Sequence, residues 1–215
     1  MADVTISGSV DEALAAPTDV LVDYTAANVV KANVLAAIGA GVHVVVGSSG
    51  LTDDDYAEID VAARARGVGV VAAGNFAITA VLLQRFACEA AKYLSHWEII
   101  DYASDAKPDA PSGTVRELAY RLGQVRQPEV THPIEATIGP KESRGATLNS
   151  SQIHSLRLPS YVIAVEAIFG APDERLTIRH DAGSGAQPYI GGTLLAIRAV
   201  REQTGLVRGL DKIMP

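Results

Sequence analysis

The chain has 215 residues, of which 48% are hydrophobic, 20% charged and 5% aromatic, with a formal net charge of -7. That balance suits one large globular domain or two small ones, and the acidity argues against nucleic acid as the main partner. Cys88 is the single cysteine, so no internal disulfide can form. No Cys/His cluster has metal-ligand spacing, so no metal is expected. No stretch reaches the ~18 apolar residues of a membrane span, and residues 1–6 lack the basic flank and apolar run of a signal peptide. A cytoplasmic protein is expected.

Residues 3–6 read as a short strand, and residues 11–15 as a helical turn or two. Residues 19–25 form a compact apolar strand ending in polar groups. A helix over 26–41 places Val30, Val34, Ala37 and Ile38 on one face and ends on glycine. The strand 42–46 runs into Gly47-Ser48-Ser49-Gly50. Thr52 and Asp55 then have the spacing of a capping box, opening a helix to about Arg66. A third apolar strand, 68–73, ends at Gly74-Asn75-Phe76. Strands apolar on both faces that alternate with helices predict a parallel sheet covered by helices. Three successive strands end in small or polar residues. In such sheets ligands sit at that edge, although tight turns alone also demand small residues.

A helix over 77–94 is expected to bury Val81, Leu82, Phe86, Cys88 and Ala91. A strand over 97–102 leads to Lys107-Pro108-Asp109-Ala110-Pro111-Ser112-Gly113-Thr114, followed by a helix to about Gln124. The prolines stop regular structure and Ser112 suits an N-cap. Gly113 and Thr114 then offer backbone donors at the positive helix end, where a carboxylate or phosphate fits. Lys107 adds a full charge beside them. An ordinary strand-to-helix loop with a well-capped helix explains the same residues, and spacing alone does not separate the two readings. Residues 127–151 read as a long loop with one short strand at most. Strands over 153–158, 161–169 and 175–181 with tight turns predict an antiparallel or mixed sheet. A last helix spans 189–203 and a tail follows. The predicted class is α/β: a truncated Rossmann-like parallel-sheet domain (1–76 and 187–215) and an α+β substrate and oligomerisation domain (77–186) with an open mixed sheet.

Asp109-Ala110-Pro111-Ser112-Gly113-Thr114 after a lysine resembles the signature of the dihydrodipicolinate reductase family. Val22-Asp23-Tyr24-Thr25, Val46-Gly47-Ser48-Ser49-Gly50, Gly74-Asn75-Phe76, Ile153-His154-Ser155-Leu156-Arg157-Leu158-Pro159 and Leu176-Thr177-Ile178-Arg179-His180-Asp181 follow in the family's order. The resemblance implies reduction of a cyclic unsaturated dicarboxylate, in the diaminopimelate route to lysine, by NADPH or NADH. It implies cofactor contacts at Thr25, Gly47, Ser48, Ser49, Gly74, Asn75 and Phe76. It implies a substrate carboxylate at Ser104, Ser112, Gly113 and Thr114, with Lys107 as the catalytic residue that pairs with or protonates the substrate. A homo-oligomer, by resemblance a tetramer through the second sheet, is expected.

The resemblance also marks departures. The family opens with a strand and a glycine-rich turn that cradles the cofactor pyrophosphate. This chain begins beyond that unit, and Ser7-Gly8-Ser9 is no substitute for it. A central gap in the parallel sheet is therefore expected, with unpaired backbone on both neighbours. The family's proton-donating histidine pair falls on Ala103 and Ser104, another histidine on Ala164 and an arginine on Gly185. Alanine cannot give a proton, so Asp105 or Lys107 is the expected substitute. These changes are expected to cluster around one pocket. His43 is expected to be structural, His96 and His132 to lie in loops, and His154 and His180 to be structural or supporting. Two other readings stay open: a diverged member with another substrate or no hydride transfer, and a non-catalytic binding or assembly partner.

Overall fold

The computed structural model describes residues 6–214, so the strand expected at 3–6 lies, apart from Ile6, outside the described residues. In chain order the elements are α1 (Val10–Ala13), β1 (Val20–Asp23), α2 (Val30–Gly39), β2 (His43–Val46), α3 (Asp53–Arg66), β3 (Gly69–Ala72), α4 (Ile78–Ala91), β4 (His96–Ala103), α5 (Gly113–Val125), β5 (Ala146–Leu148), β6 (Ser151–Arg157), β7 (Ile163–Ala171), β8 (Glu174–Ala182), α6 (Gln187–Val200) and β9 (Gly205–Arg208). They form two compact units, one up to Phe76 joined by the chain from Tyr189 onward, the other Ala77–Pro188.

The first unit holds an all-parallel sheet in the order β1-β2-β3-β9. Val44, Val46, Val70 and Ala72 from the strands pack with Val30, Val34, Ile38 and Ile59 from the helices into one apolar core. The α3 start has the full capping box between Thr52 and Asp55, and its end turns on Gly67 at φ 71°, where a side chain would be strained. α2 starts later than expected. Ala26 to Val29 form a turn in which the Val29 and Val30 amides both donate to the Ala26 carbonyl, and the helix has no side-chain cap.

Two expectations for this unit fail. The tail contains β9, whose residues 205–208 pair in register with 69–72. Among the described residues the strands of this sheet are contiguous with no central gap, and β1 stands at its edge, paired on one side with β2. A missing neighbour of β1 would leave one row of backbone groups unpaired rather than two.

The second unit holds an open mixed sheet in the order β5-β6-β4-β7-β8, with β4 and β6 parallel and the other pairs antiparallel. Alternate residues Trp97, Ile99, Val165, Ala167 and Phe169 face the helices and meet Leu83, Ala87, Leu118 and Leu122 there. The buried stripe of α4 is Ala80, Leu83, Gln84, Ala87 and Ala91, together with Val81. Phe86, expected inside, is 53% exposed. Small residues let this helix lie close to the sheet, so the apolar bulk that suggested the stripe sits beside it.

Candidate functional site

The turn between β4 and α5 is built from below by a buried polar network. Asp101 lies in β4 with no exposed surface. Its Oδ2 accepts the Ser112 N–H at 2.9 Å, the Ser155 hydroxyl at 3.1 Å and the Arg157 guanidinium at 2.8 Å. The same guanidinium donates to the Asp109 carbonyl at 2.7 Å. Both ends of the Asp109–Ser112 segment are thus tied to a buried ion pair. Asp101 and Arg157 were missed from the sequence; the available signal was a charged residue near the end of each of two strands that flank the turn.

Ser112 is spent internally. Its amide goes to Asp101, and its hydroxyl caps α5 by accepting the Val115 N–H at 3.4 Å. The expectation that it offers a donor to a ligand is corrected to a structural role in holding the turn. Gly113 is different. As the first residue of α5 its amide has no intrahelical acceptor. It is exposed, and a Cβ built on it would meet nothing within 4 Å. Thr114 follows, almost fully buried. The Lys107 ammonium sits 2.7 Å from Asp109, and Arg116 lies 3.7 Å from the other oxygen of that carboxylate. Lys107 holds the Asp109 carboxyl below its usual range, so two cations share one anion in the turn that leads into α5. Ser104 closes a turn of its own, donating to Asp105 at 3.2 Å and accepting the Ala106 N–H at 3.3 Å.

Ala103 and Ala164 are both buried. The register pairs Ala103 with Ile163 and Tyr102 with Ala164. Strand pleating therefore sends Ala103 to the helix side and Ala164 to the opposite face, so these replacements do not share one pocket. On Ala164's face Tyr102 donates to Glu166 at 2.9 Å, and the Arg179 guanidinium lies 4.6 Å from the Tyr102 ring centre. His43 accepts the Gly69 N–H, a structural role. His96 belongs to β4 rather than a loop and bonds the Glu129 carbonyl; His132 bonds the Ala136 carbonyl, and His154 pairs with Glu98 at 2.6 Å. His180 is almost fully buried, hydrogen-bonded to Thr79 at 2.9 Å, and burial pushes its pKa down. None of the five is an open acid beside the turn.

In the first unit the C-terminal ends of β1, β2 and β3 gather Thr25, Gly47, Ser48, Ser49, Gly74, Asn75 and Phe76. Asp23, 2% exposed, organises this edge. It accepts the Ser48 hydroxyl at 2.5 Å, the Thr25 amide and hydroxyl at 3.1 and 2.9 Å, and the Asn33 amide at 2.9 Å. Burial raises its pKa, but these hydrogen bonds together outweigh that and hold it below the usual value. Tyr24 lies over Gly47, whose added Cβ would come 2.1 Å from the ring, and its hydroxyl is 2.7 Å from Thr193. Phe76 is buried and meets Tyr24 edge-on with ring centres 5.8 Å apart. It supports the edge rather than offering its ring to a ligand.

This donor set fits the nicotinamide half of a dinucleotide. Ser48 and Thr25 give their protons to Asp23, so toward a ligand their oxygens accept, as an amide-bearing ring and a ribose require. It does not fit a pyrophosphate, which the Asp23 charge would repel. At Ser7–Ser9 the local donors are also taken, Gly8 N–H by Glu12 at 2.8 Å and Glu12 N–H by Ser9 at 3.2 Å.

Known proteins match nearly the whole chain. The family described as "Dihydrodipicolinate reductase, N-terminus" matches residues 1–76, and "Dihydrodipicolinate reductase, C-terminus" matches residues 79–214. A 4-hydroxy-tetrahydrodipicolinate reductase from Desulfitobacterium hafniense is 43% identical over 91% of this chain and 73% of its own length. One from Thermosynechococcus vestitus is 39% identical over 99% of this chain and 79% of its own length. A dipicolinate-bound dihydrodipicolinate reductase from Paenisporosarcina sp. TG-14 superposes with a TM-score of 0.81 at 33% identity, covering 91% of this chain and 74% of that one. By the family's match to both halves of its sequence and by these relatives, the chain belongs to the dihydrodipicolinate reductase family.

Proposed function

We propose that the protein is an NAD(P)H-dependent reductase of a cyclic unsaturated dicarboxylate, acting in lysine and diaminopimelate biosynthesis. The observation that carries this is the exposed Gly113 at the start of α5, whose amide has no intrahelical acceptor, with the Lys107–Asp109 ion pair in the turn that leads into it. A carboxylate there gains an oriented donor and a cation together. Thr114 is the second turn residue assigned to that carboxylate, and Ser104 flanks the site. Lys107 pairs with the substrate and is the residue assigned to proton delivery, since Ala103 cannot serve. The bound coenzyme, NADPH or NADH, supplies hydride. Thr25, Gly47, Ser48, Ser49, Gly74 and Asn75 hold its nicotinamide half, with Phe76 behind them. The first unit is then the nucleotide domain, and the second binds substrate and forms a cytoplasmic homotetramer.

The test is reduced-coenzyme consumption with freshly generated family substrate. Turnover that falls at least ~100-fold in Lys107→Ala, the scale of losing a general acid, supports the reading. No turnover by wild-type protein at high enzyme concentration overturns it. A second reading, a diverged member with another substrate, is favoured by one observation: Ala103 and Ser104 stand where the family resemblance implies the proton-donating histidines. Dipicolinate binding without turnover of the family substrate would select it.

A further inference from the structure

Among the described residues, the buried carboxylate of Asp23 has no counter-charge. Its four partners, Thr25, Asn33 and Ser48 by side chain and Thr25 by amide, are all neutral. Among the described residues no lysine, arginine or histidine pairs with it, and Lys31, two residues before Asn33, is engaged by Asp55 and Glu58 at 2.7 Å each. Neutral hydrogen bonds stabilise a carboxylate but leave its net charge in place. The charge therefore acts on whatever occupies the edge of β1 and β2.

We infer that Asp23 is a specificity-determining residue of the dinucleotide site, whose uncompensated charge makes that edge prefer the oxidised, cationic nicotinamide over the neutral, reduced one. The inference rests on the reading that this edge holds the nicotinamide. Hydride loss moves two electrons and a hydrogen nucleus off the ring and leaves it one unit more positive. A fixed negative charge then stabilises the state after hydride departure more than the state before it. At the effective dielectric of a partly buried site, a unit charge within a Debye length shifts such a preference by on the order of tenfold. Asp23 does not touch the reacting atoms in this account; it sets the field around them.

The experiment measures dissociation constants of oxidised and reduced coenzyme for the full chain, by fluorescence titration of the reduced form and competition by the oxidised one. Wild type is compared with Asp23→Asn, which removes the charge, and Asn33→Lys, which keeps the carboxylate and introduces a cation at the position whose amide now donates to it at 2.9 Å. Both variants are expected to lose about tenfold of the preference for the oxidised form. Equal weakening of both forms, with the ratio unmoved, overturns the inference and leaves Asp23 a merely structural residue. If Asp23→Asn does not fold, the ratio in Asn33→Lys decides alone. Failure of wild type to bind either form defeats the dinucleotide reading and the inference together; binding with an unmoved ratio defeats the inference only.

Discussion

At the level of single residues, the site depends on a few buried polar groups. Asp101 holds three donors on one oxygen while the other oxygen is buried without a partner. Such pairs add little net stability when intact, but losing one member strands the other. Asp101→Ala is expected to cost roughly 3–5 kcal/mol, read as a lower urea midpoint. It should also weaken dicarboxylate binding, because the Ser112 amide is released. Gly47→Ala forces the Tyr24 ring away from its Thr193 contact. Coenzyme affinity should fall, while a titration with dipicolinate should be unchanged. The signature turn and its N-cap were legible in the sequence, because prolines, serine and glycine act locally. The partners Asp101, Arg157, Asp23 and Tyr24 were not, because each draws its role from residues distant in the chain.

At the level of elements, helices were easier to read than their faces. The α3 capping box was foreseeable from Thr52 and Asp55 three residues apart. The phase of α4 was not, since alanines and Gln84 make its buried stripe while Phe86 faces out. Leu83→Ala should therefore cost about 2–5 kcal/mol, whereas Phe86→Ser should stay within about 0.5 kcal/mol; thermal or urea unfolding separates them. β9 escaped notice because four residues between a helix and a tail carry no period of their own. Its identity comes from pairing with β3. In β8, burial pushes the His180 pKa below its ordinary value of about 6.5. The unfolded chain then binds the extra proton first, so its contribution is present above about pH 6.5 and is lost as pH falls through the folded value. Urea midpoints measured from neutral to mildly acidic pH should decline, and His180→Gln should flatten that slope.

At the level of the whole molecule, the chain divides into a parallel unit and an open mixed unit. Alternation of strands and helices made the first legible, and strands separated by tight turns made the second. The expected gap in the parallel sheet was an error of strand order, which periodicity does not encode; the order places β1 at an edge. No helix among the described residues is long and apolar enough to cross a membrane. The proposed activity requires that the α5 start binds a carboxylate. The most direct measurement is the amide resonance of Gly113 during titration with dipicolinate. It should shift progressively to saturation in wild-type protein and bind markedly more weakly in Lys107→Ala. A Gly113 resonance that stays fixed while dipicolinate binds elsewhere, or a protein that binds none, would contradict the account.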